Sequence, residues 1–267
     1  MKRYGSGHKS WLIILSVMVL FAIVPKGFAE DKAIHAVANH AFREGEELEF
    51  ELSWFGVKAG TAVMKVERRF LMNDRSVYKI VSTARSADYF AMLYRVDTSA
   101  ESFMDAEGLF SWRFRIRQKE GSYSRDKELI FDYDRKWAVY SREERVTTYD
   151  IPGRVQDALS CFYYVRTQPL EVGKSLTVPT FENKKYWEVE VRVLRKEKIT
   201  TPAGTFNTIL IQPLLKFKGL FQHKGTVYLW VTDDQRRMPV MMQSEIKIGS
   251  IKALLTSVRG TEFFEKL

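Results

Sequence analysis

Glu47, Glu49 and Glu51 stand at alternate positions of one segment, where paired carboxylates could serve as general acid and base. Between them Leu48, Phe50, Leu52 and Trp54 form a clean apolar face, so these acids are expected to be the solvated side of a half-buried strand. Arg113, Arg115 and Arg117 make a basic stripe of the same kind. Phosphate headgroups or an acidic partner could meet it; solubility and protection of a sheet edge is the plainer reading. The single cysteine, Cys161, could be a nucleophile, but it falls on the apolar face of a predicted helix, where a thiol acts as a small hydrophobe. His35, His40 and His223 remain once a leader is removed, and no two of them sit in a Cys/His/acid cluster with ligand spacing. Trp230 to Pro239 holds Asp233, Asp234, Arg236 and Arg237, which could form an acid–arginine binding site. The same aspartates can instead close a tight hairpin turn, with Pro239 opening the next strand, and that reading is preferred.

No Gly-x-Ser-x-Gly elbow, phosphate loop or dinucleotide fingerprint is present in the sequence. No catalytic residue, metal or cofactor is therefore expected. The formal charge is +9, and it falls to +5 without residues 1–29, which contain Lys2, Arg3, Lys9 and Lys26 but no acid. Basic residues interleave with acidic ones along the chain, which does not fit a nucleic-acid reader. The excess suits loose attraction to an anionic membrane surface, so membrane contact is expected to be peripheral at most.

The elements that must position these groups are mostly strands. Aromatic residues make up 13% of the 267-residue chain, which leans towards sheet. Period-two alternation runs through residues 48–54, 62–66 and 112–117, with Gly56, Gly60, Asn73-Asp74, Glu107-Gly108 and Glu120-Gly121 as turns. A hairpin is expected around Asp134 to Lys136. Residues 86–94 read equally as a short helix or a packed loop. Pro152-Gly153 breaks the chain, and one central helix is predicted at about 157–167, N-capped by Asp157, with Ala158, Cys161, Phe162 and Val165 on its apolar face. Further strands are expected at 174–178, 185–193, 196–200, 206–212, 225–231, 239–248 and 251–259, with Lys218-Gly219 among the turns. The expected fold is mainly β: a curved antiparallel sheet or open barrel-like fold around the central helix.

The N-terminus is a separate object. A basic start, an apolar run from Trp11 to Val24 and small residues before a cleavage point after Ala29 read as a secretory leader over residues 1–29. An uncleaved anchor is the alternative. Residues 30–42 follow as a flexible lead-in, then a single β-rich domain over 43–267, or two halves joined at 152–173. Export to the periplasm is expected. A lone cysteine gives no internal disulfide, so the core must hold the fold.

Several stretches in order resemble the bacterial exported proteins grouped as domain of unknown function 3108. They are Leu48 to Trp54, Lys58 to Ala62 with Gly60, Asp157 to Tyr164, Thr201 to Phe206 with Gly204, Trp230 to Asp234, Arg237 to Pro239, and Ile248 to Ser250 with Gly249. The resemblance spans about residues 43 to 260. It implies an exported, mostly β protein and no assigned activity. The chain departs from the family pattern at Cys161, where another small residue is expected, which speaks against a thiol mechanism. A looser analogy is to lipoprotein carriers, whose half-open sheet wraps a helix around an apolar cavity. On that analogy the expected function is non-enzymatic binding of a lipid or other hydrophobic ligand, with Phe50, Trp54, Trp112, Phe114 and Phe162 as cavity wall. An envelope assembly protein without a small ligand, a hydrolase with a nonstandard site and an outer-membrane barrel are the rivals.

Overall fold

The computed structural model describes residues 34–92, 94–214, 226–245 and 249–260. The leader and its cleavage point, the Lys218-Gly219 turn, His223 and Ile248 lie outside the described residues.

Eight strands come first: β1 (Glu47–Trp54), β2 (Val57–Met72), β3 (Arg75–Ser86), β4 (Val96–Asp105), β5 (Ser111–Glu120), β6 (Tyr123–Asp132), β7 (Trp137–Arg142) and β8 (Arg145–Asp150). A single helical turn, α1 (Asp88–Ala91), separates β3 from β4, so the ambiguous segment takes its helical option. Helix α2 (Ser160–Arg166) follows β8. Six more strands complete the chain: β9 (Ser175–Glu182), β10 (Lys185–Thr201), β11 (Gly204–Pro213), β12 (Val227–Thr232), β13 (Pro239–Glu245) and β14 (Ser250–Arg259).

All fourteen belong to one antiparallel sheet ordered β8-β7-β6-β5-β4-β3-β2-β1-β14-β13-β12-β11-β10-β9. Nearly every strand pairs with its neighbour in sequence, as short turns between antiparallel strands allow. The exception is β1 with β14, which joins the two ends of the chain's path. Strands β8 and β9 are consecutive in the chain yet form opposite edges of the sheet. The connection from Ile151 to Lys174, with α2 inside it, must reach from one edge to the other.

It does so because the sheet curls. The Ser111 amide donates to Val155 carbonyl at 3.0 Å, so the connection touches the start of β5. One residue later Gln156 bridges to Thr180 of β9, with the Gln156 amide on Pro179 carbonyl and the Phe181 amide on Gln156 carbonyl, both at 2.8 Å. Side chains complete the closure. Phe131 of β6 meets Phe181 edge-on at 6.0 Å, and Lys127 of β6 pairs with Glu182 of β9 at 2.7 Å with both side chains buried.

Helix α2 is fixed at both ends. Asp157 is fully buried. Its Oδ1 accepts from the amides of Leu159 (2.7 Å) and Ser160 (2.8 Å), while Ser160 Oγ accepts from the Asp157 amide (2.9 Å). This reciprocal arrangement is a capping box in which Ser takes the place of Glu. Regular helix begins at Ser160 because residues 157–159 form the tight turn that the cap closes. At the other end Arg166 is buried and bidentate to Glu46 at 2.6 and 2.7 Å. It also donates to the carbonyls of Ala41 and Arg236 and lies over the rings of Phe42 and Tyr163. Burial pulls its pKa down, and the Glu46 carboxylate more than restores it.

Three sequence expectations are refined. The segments 185–193 and 196–200 are one strand, β10, interrupted by a bulge where the register shifts between Val193 and Arg195. Strand β9 extends beyond Val178 through Pro179, which an edge strand tolerates. Strand β8 has no apolar alternation, and its first four residues are exposed, so the period-two signal that marks other strands is missing.

Replacing Arg166 by Met is expected to destabilise the fold by about 3–5 kcal/mol, because Glu46 would stay buried and unpaired. Adding Glu46→Leu to Arg166→Met should recover most of the loss. Urea unfolding midpoints of the two variants decide the matter; equal losses in both would refute the pairing argument.

Candidate functional site

Beneath α2 the sheet leaves a cleft. Its helix wall is Ala158, Cys161, Phe162 and Val165, and its floor includes Val178, Val189, Val191, Ile211 and Leu229. The floor residues come from inward positions of β9 to β12. On β11 and β12 alternate residues divide between two clusters: Ile209 and Ile211 with Leu229 and Val231 lie on the α2 side, Leu210 and Trp230 on the other. That part of the sheet is buried on both faces, and its all-apolar stretches reflect it. The β10–β11 hairpin covers the second face with Ile199 and Phe206, tied down where the Ala203 amide donates to Leu255 carbonyl.

The cleft is narrow. It encloses about 710 Å³ between atoms, solvent at its mouth included, but only about 70 Å³ is wide enough for a water molecule. Its walls are apolar except for Thr180 and Glu182. The Thr180 hydroxyl is engaged, donating to Val178 carbonyl at 3.1 Å. Glu182 is fully buried; Oε1 accepts from Lys127 Nζ, while Oε2 has no partner among the described residues. Burial lowers the Lys127 pKa, and Glu182 resists that shift. One buried carboxylate oxygen is thus left to accept a hydrogen bond on an otherwise greasy wall.

Cys161 lines this cleft. Burial pushes its thiol pKa up, with Asp157 and Glu182 adding to the effect, and Sγ donates to Ala158 carbonyl at 3.3 Å. A thiol so placed is a poor source of thiolate. A depression with about 530 Å³ wide enough for water, against the cleft's 70 Å³, lies between Val37, Arg69, Leu71, Arg75 and Glu107, but it is open and its lining mixes charged with apolar side chains. Arg75 there is committed to Asp105 at 2.8 Å and to Glu107 at 3.0 Å, and Arg69 donates to Ser76 Oγ at 2.6 Å. The apolar cleft is the better candidate.

Of the aromatic residues expected to line a cavity, Phe162 does so. Phe114 is fully buried in the β3–β7 core, and Phe50 in the cluster around β1, β13 and β14. Trp112 donates to Asp105 at 3.1 Å and packs on Phe110 and Tyr133. Trp54 packs on Phe55 and Phe90. The structure does not bring these five together.

The residues of the family-like stretches are likewise spread, and each holds a turn or a packing contact. A Cβ on Gly60 would stand 2.1 Å from the Arg85 carbonyl oxygen, so β2 and β3 approach there only through glycine. Asp157 caps α2. Gly204 sits in the β10–β11 turn at φ +137°. Trp230 donates to Glu197 at 2.6 Å. Asp234 accepts from Thr232 Oγ1 at 2.6 Å and from the Arg236 amide and guanidinium, Arg237 reaches Asp233 at 3.3 Å, and Pro239 opens β13. Gly249 lies at φ +77° under the Phe55 ring. The Glu47, Glu49 and Glu51 row meets Lys65, Arg259 and Lys58 across neighbouring strands. The Arg113, Arg115 and Arg117 row meets Glu128 and Asp126. His35 and His40 are exposed. Among the described residues no group of three or more His, Cys, Asp or Glu is placed to hold a metal ion.

Sequence reasoning missed Glu182, Lys127 and the valine floor. Lys127 did carry a signal: it alternates with Leu129 and Phe131, and the structure buries all three on the inward face of β6.

The family model described as Protein of unknown function (DUF3108) matches residues 49–256. No curated protein matches. Among solved structures, the β-barrel-like protein of the domain of unknown function DUF1849 from Brucella abortus has a TM-score of 0.51 at 10% identity, covering 85% of this chain and 98% of that one. A Bacteroides fragilis protein described as exported, with a YmcC-like fold, matches at TM-score 0.38 and 13% identity over 84% of this chain and 100% of its own. A Parabacteroides distasonis protein described as a lipoprotein matches at TM-score 0.31 and 10% identity over 84% and 99%. The first likeness shows a shared β-barrel-like fold.

In the native protein Cys161 is expected to react with iodoacetamide at neutral pH at least about 100-fold more slowly than a free thiol. Mass spectrometry of timed samples, before and after denaturation, reads this directly. Fast native labelling would mean that the cleft stands open to solvent.

Proposed function

The chain belongs to the family described as Protein of unknown function (DUF3108), and from the cleft under α2 we propose that it is a non-enzymatic, exported envelope protein that binds the apolar part of an amphiphile between α2 and strands β9–β12. The carrying observation is a continuous apolar slot whose walls come from a helix pinned at both ends and from a sheet floor of valine, leucine and isoleucine. Apart from the Glu182 carboxylate and the Cys161 thiol, such lining offers dispersion and desolvation.

The slot must widen to admit a ligand, since about 70 Å³ is well below the roughly 300–1,000 Å³ of small-molecule pockets. Phe162 is the side chain whose displacement does this. It is half-buried, and it packs at the border of the two clusters flanking α2. The leader over residues 1–29 supports export, and the family resemblance supports an envelope location. A membrane-spanning barrel needs every edge paired, whereas among the described residues β8 and β9 end the strand order without pairing to each other.

A second reading, an assembly protein, is favoured by the contrast between the two sheet edges. Edge β9 is interrupted by Pro179 and bridged by Gln156. Edge β8 has neither device, and Arg145 to Thr148 are all exposed. An edge strand that no proline or bridge blocks is a template for an added strand.

Native mass spectrometry on protein purified gently from its host is expected to show an adduct that organic extraction identifies as a lipid. Val191→Phe, which fills the floor, should reduce the adduct at least about tenfold at the cost of roughly 1–3 kcal/mol of stability. A bare mass in the unaltered protein, with another protein co-purifying instead, would transfer support to the assembly reading.

A further inference from the structure

Eleven large hydrophobic residues are exposed among the described residues, and six of them gather at one rim of the sheet: Phe55, Val57, Tyr89, Met92, Tyr94 and Ile251. The register explains the gathering. Trp54 at the end of β1 stands opposite Val57 at the start of β2 and Ile251 at the start of β14. Gly60 stands opposite Ser86, which delivers α1 to the same rim. Phe55 packs on Trp54 with ring centroids 4.9 Å apart, and Trp54 meets Phe90 of α1 at 6.0 Å. The Tyr89 hydroxyl donates to Lys58 carbonyl, and the Ala87 amide donates to Ala59 carbonyl at 2.9 Å. The β1–β2 turn and α1 are therefore one fixed unit. Phe55 is 65% exposed and Met92 91% exposed, an arrangement that costs solvation and that a monomer has no internal reason to keep.

We propose that this rim is a docking surface for an anionic lipid bilayer. Tryptophan, tyrosine and phenylalanine beside lysine and arginine is the composition that settles at a membrane–water interface, where an apolar ring and a polar tip are both satisfied. The basic residues are Lys58, Arg85, Arg95 and Lys252, all exposed. Lys58 is paired with Glu51 at 3.1 Å and Arg85 with Asp97 at 3.5 Å. Arg95 and Lys252 have no ion pair among the described residues, and Asp88 is the one further acid of α1. Glu120 and Glu245 also lie at this rim, so the anion contact rests on Arg95 and Lys252, whose exposed heads can meet phosphate headgroups. Phe55 and Met92 stand on turn tips, with Val57, Ile251 and Tyr89 at the adjoining strand starts and helical turn. Tips of this kind enter a headgroup layer, whereas a protein partner requires a continuous complementary area. The surface shares no residue with the cleft and stands independently of the ligand reading.

Co-sedimentation of the exported form with vesicles of phosphatidylglycerol and phosphatidylethanolamine tests it. The unaltered protein is expected to bind. Phe55→Asp combined with Met92→Asp should weaken binding at least about tenfold with an unchanged melting temperature, since both side chains are exposed. Arg95→Glu with Lys252→Glu should weaken binding to vesicles rich in phosphatidylglycerol and leave phosphatidylcholine vesicles unaffected. Val191→Phe, which blocks the cleft, should bind vesicles as the unaltered protein does. The proposal is overturned if the unaltered protein ignores vesicles, or if the Phe55 and Met92 variant binds them equally well. A co-purifying protein lost from that variant, without vesicle binding, would assign the rim to a protein partner and overturn it as well.

Discussion

A carboxylate can be buried only where donors replace its water, and Asp157 collects four. Two are helix amides, from Leu159 and Ser160. The other two are hydroxyls from the sheet, Ser102 of β4 at 2.6 Å and Ser111 of β5 at 2.5 Å. Burial raises the pKa of this carboxyl, and the four hydrogen bonds oppose the shift. The consequence is geometric. The start of α2 is fixed against β4 and β5 just where the chain crosses from β8 to β9. Without that fixed point the crossing would have no defined height above the sheet. The cleft wall, the Gln156 bridge and the Lys127–Glu182 pair all depend on that height.

The second anchor, Arg166, does at the far end what Asp157 does at the near one. A buried guanidinium and carboxylate pair contributes little net stability over an apolar replacement, because both ions lose water. What it gives is position. Arg166 can be satisfied only when Ala41, Glu46 and Arg236 converge on it. Those three lie before β1, at its approach, and between β12 and β13. A seven-residue helix has too little surface to orient itself by packing alone, and two directional polar anchors supply the missing constraint.

Much of this was legible in the sequence, for a physical reason. Where one sheet face is buried and the other wet, as in β1 and β5, burial imposes period two on residue type, and the alternation of Leu48 to Trp54 and of Trp112 to Arg117 reports it. Asp157 was legible as a cap because capping is local. The cleft was not. Its floor is built from valines that read as ordinary strand residues, while Phe50 and Phe114, which seemed suited to a cavity, went to two other clusters. Glu182 and Lys127 meet across the gap between β9 and β6, a contact set by how far the whole sheet curls. No local pattern encodes that. Strand β8 escaped notice because it is exposed, so burial put no pattern on it.

The cleft and the rim are linked by the register of the sheet. Val227, on the cleft wall, stands opposite Ser244 of β13. Ser244 stands opposite Ile251, Ile251 opposite Trp54, and Trp54 opposite Val57. One transverse row of paired residues therefore runs from the buried wall of the apolar slot to the exposed rim. Adjacent strands lie about 4.8 Å apart, so a row of five strands spans about 19 Å. That is less than the thickness of a bilayer's hydrocarbon core, about 30 Å. If the rim rests on a membrane, Val227 lies about 19 Å along the sheet from the inserted side chains. An apolar ligand leaving the lipid would then cross little water before reaching an apolar wall, and the cost of exposing its chain is the main barrier to any such transfer. The same register thus places the apolar slot and the exposed rim along one row of the sheet.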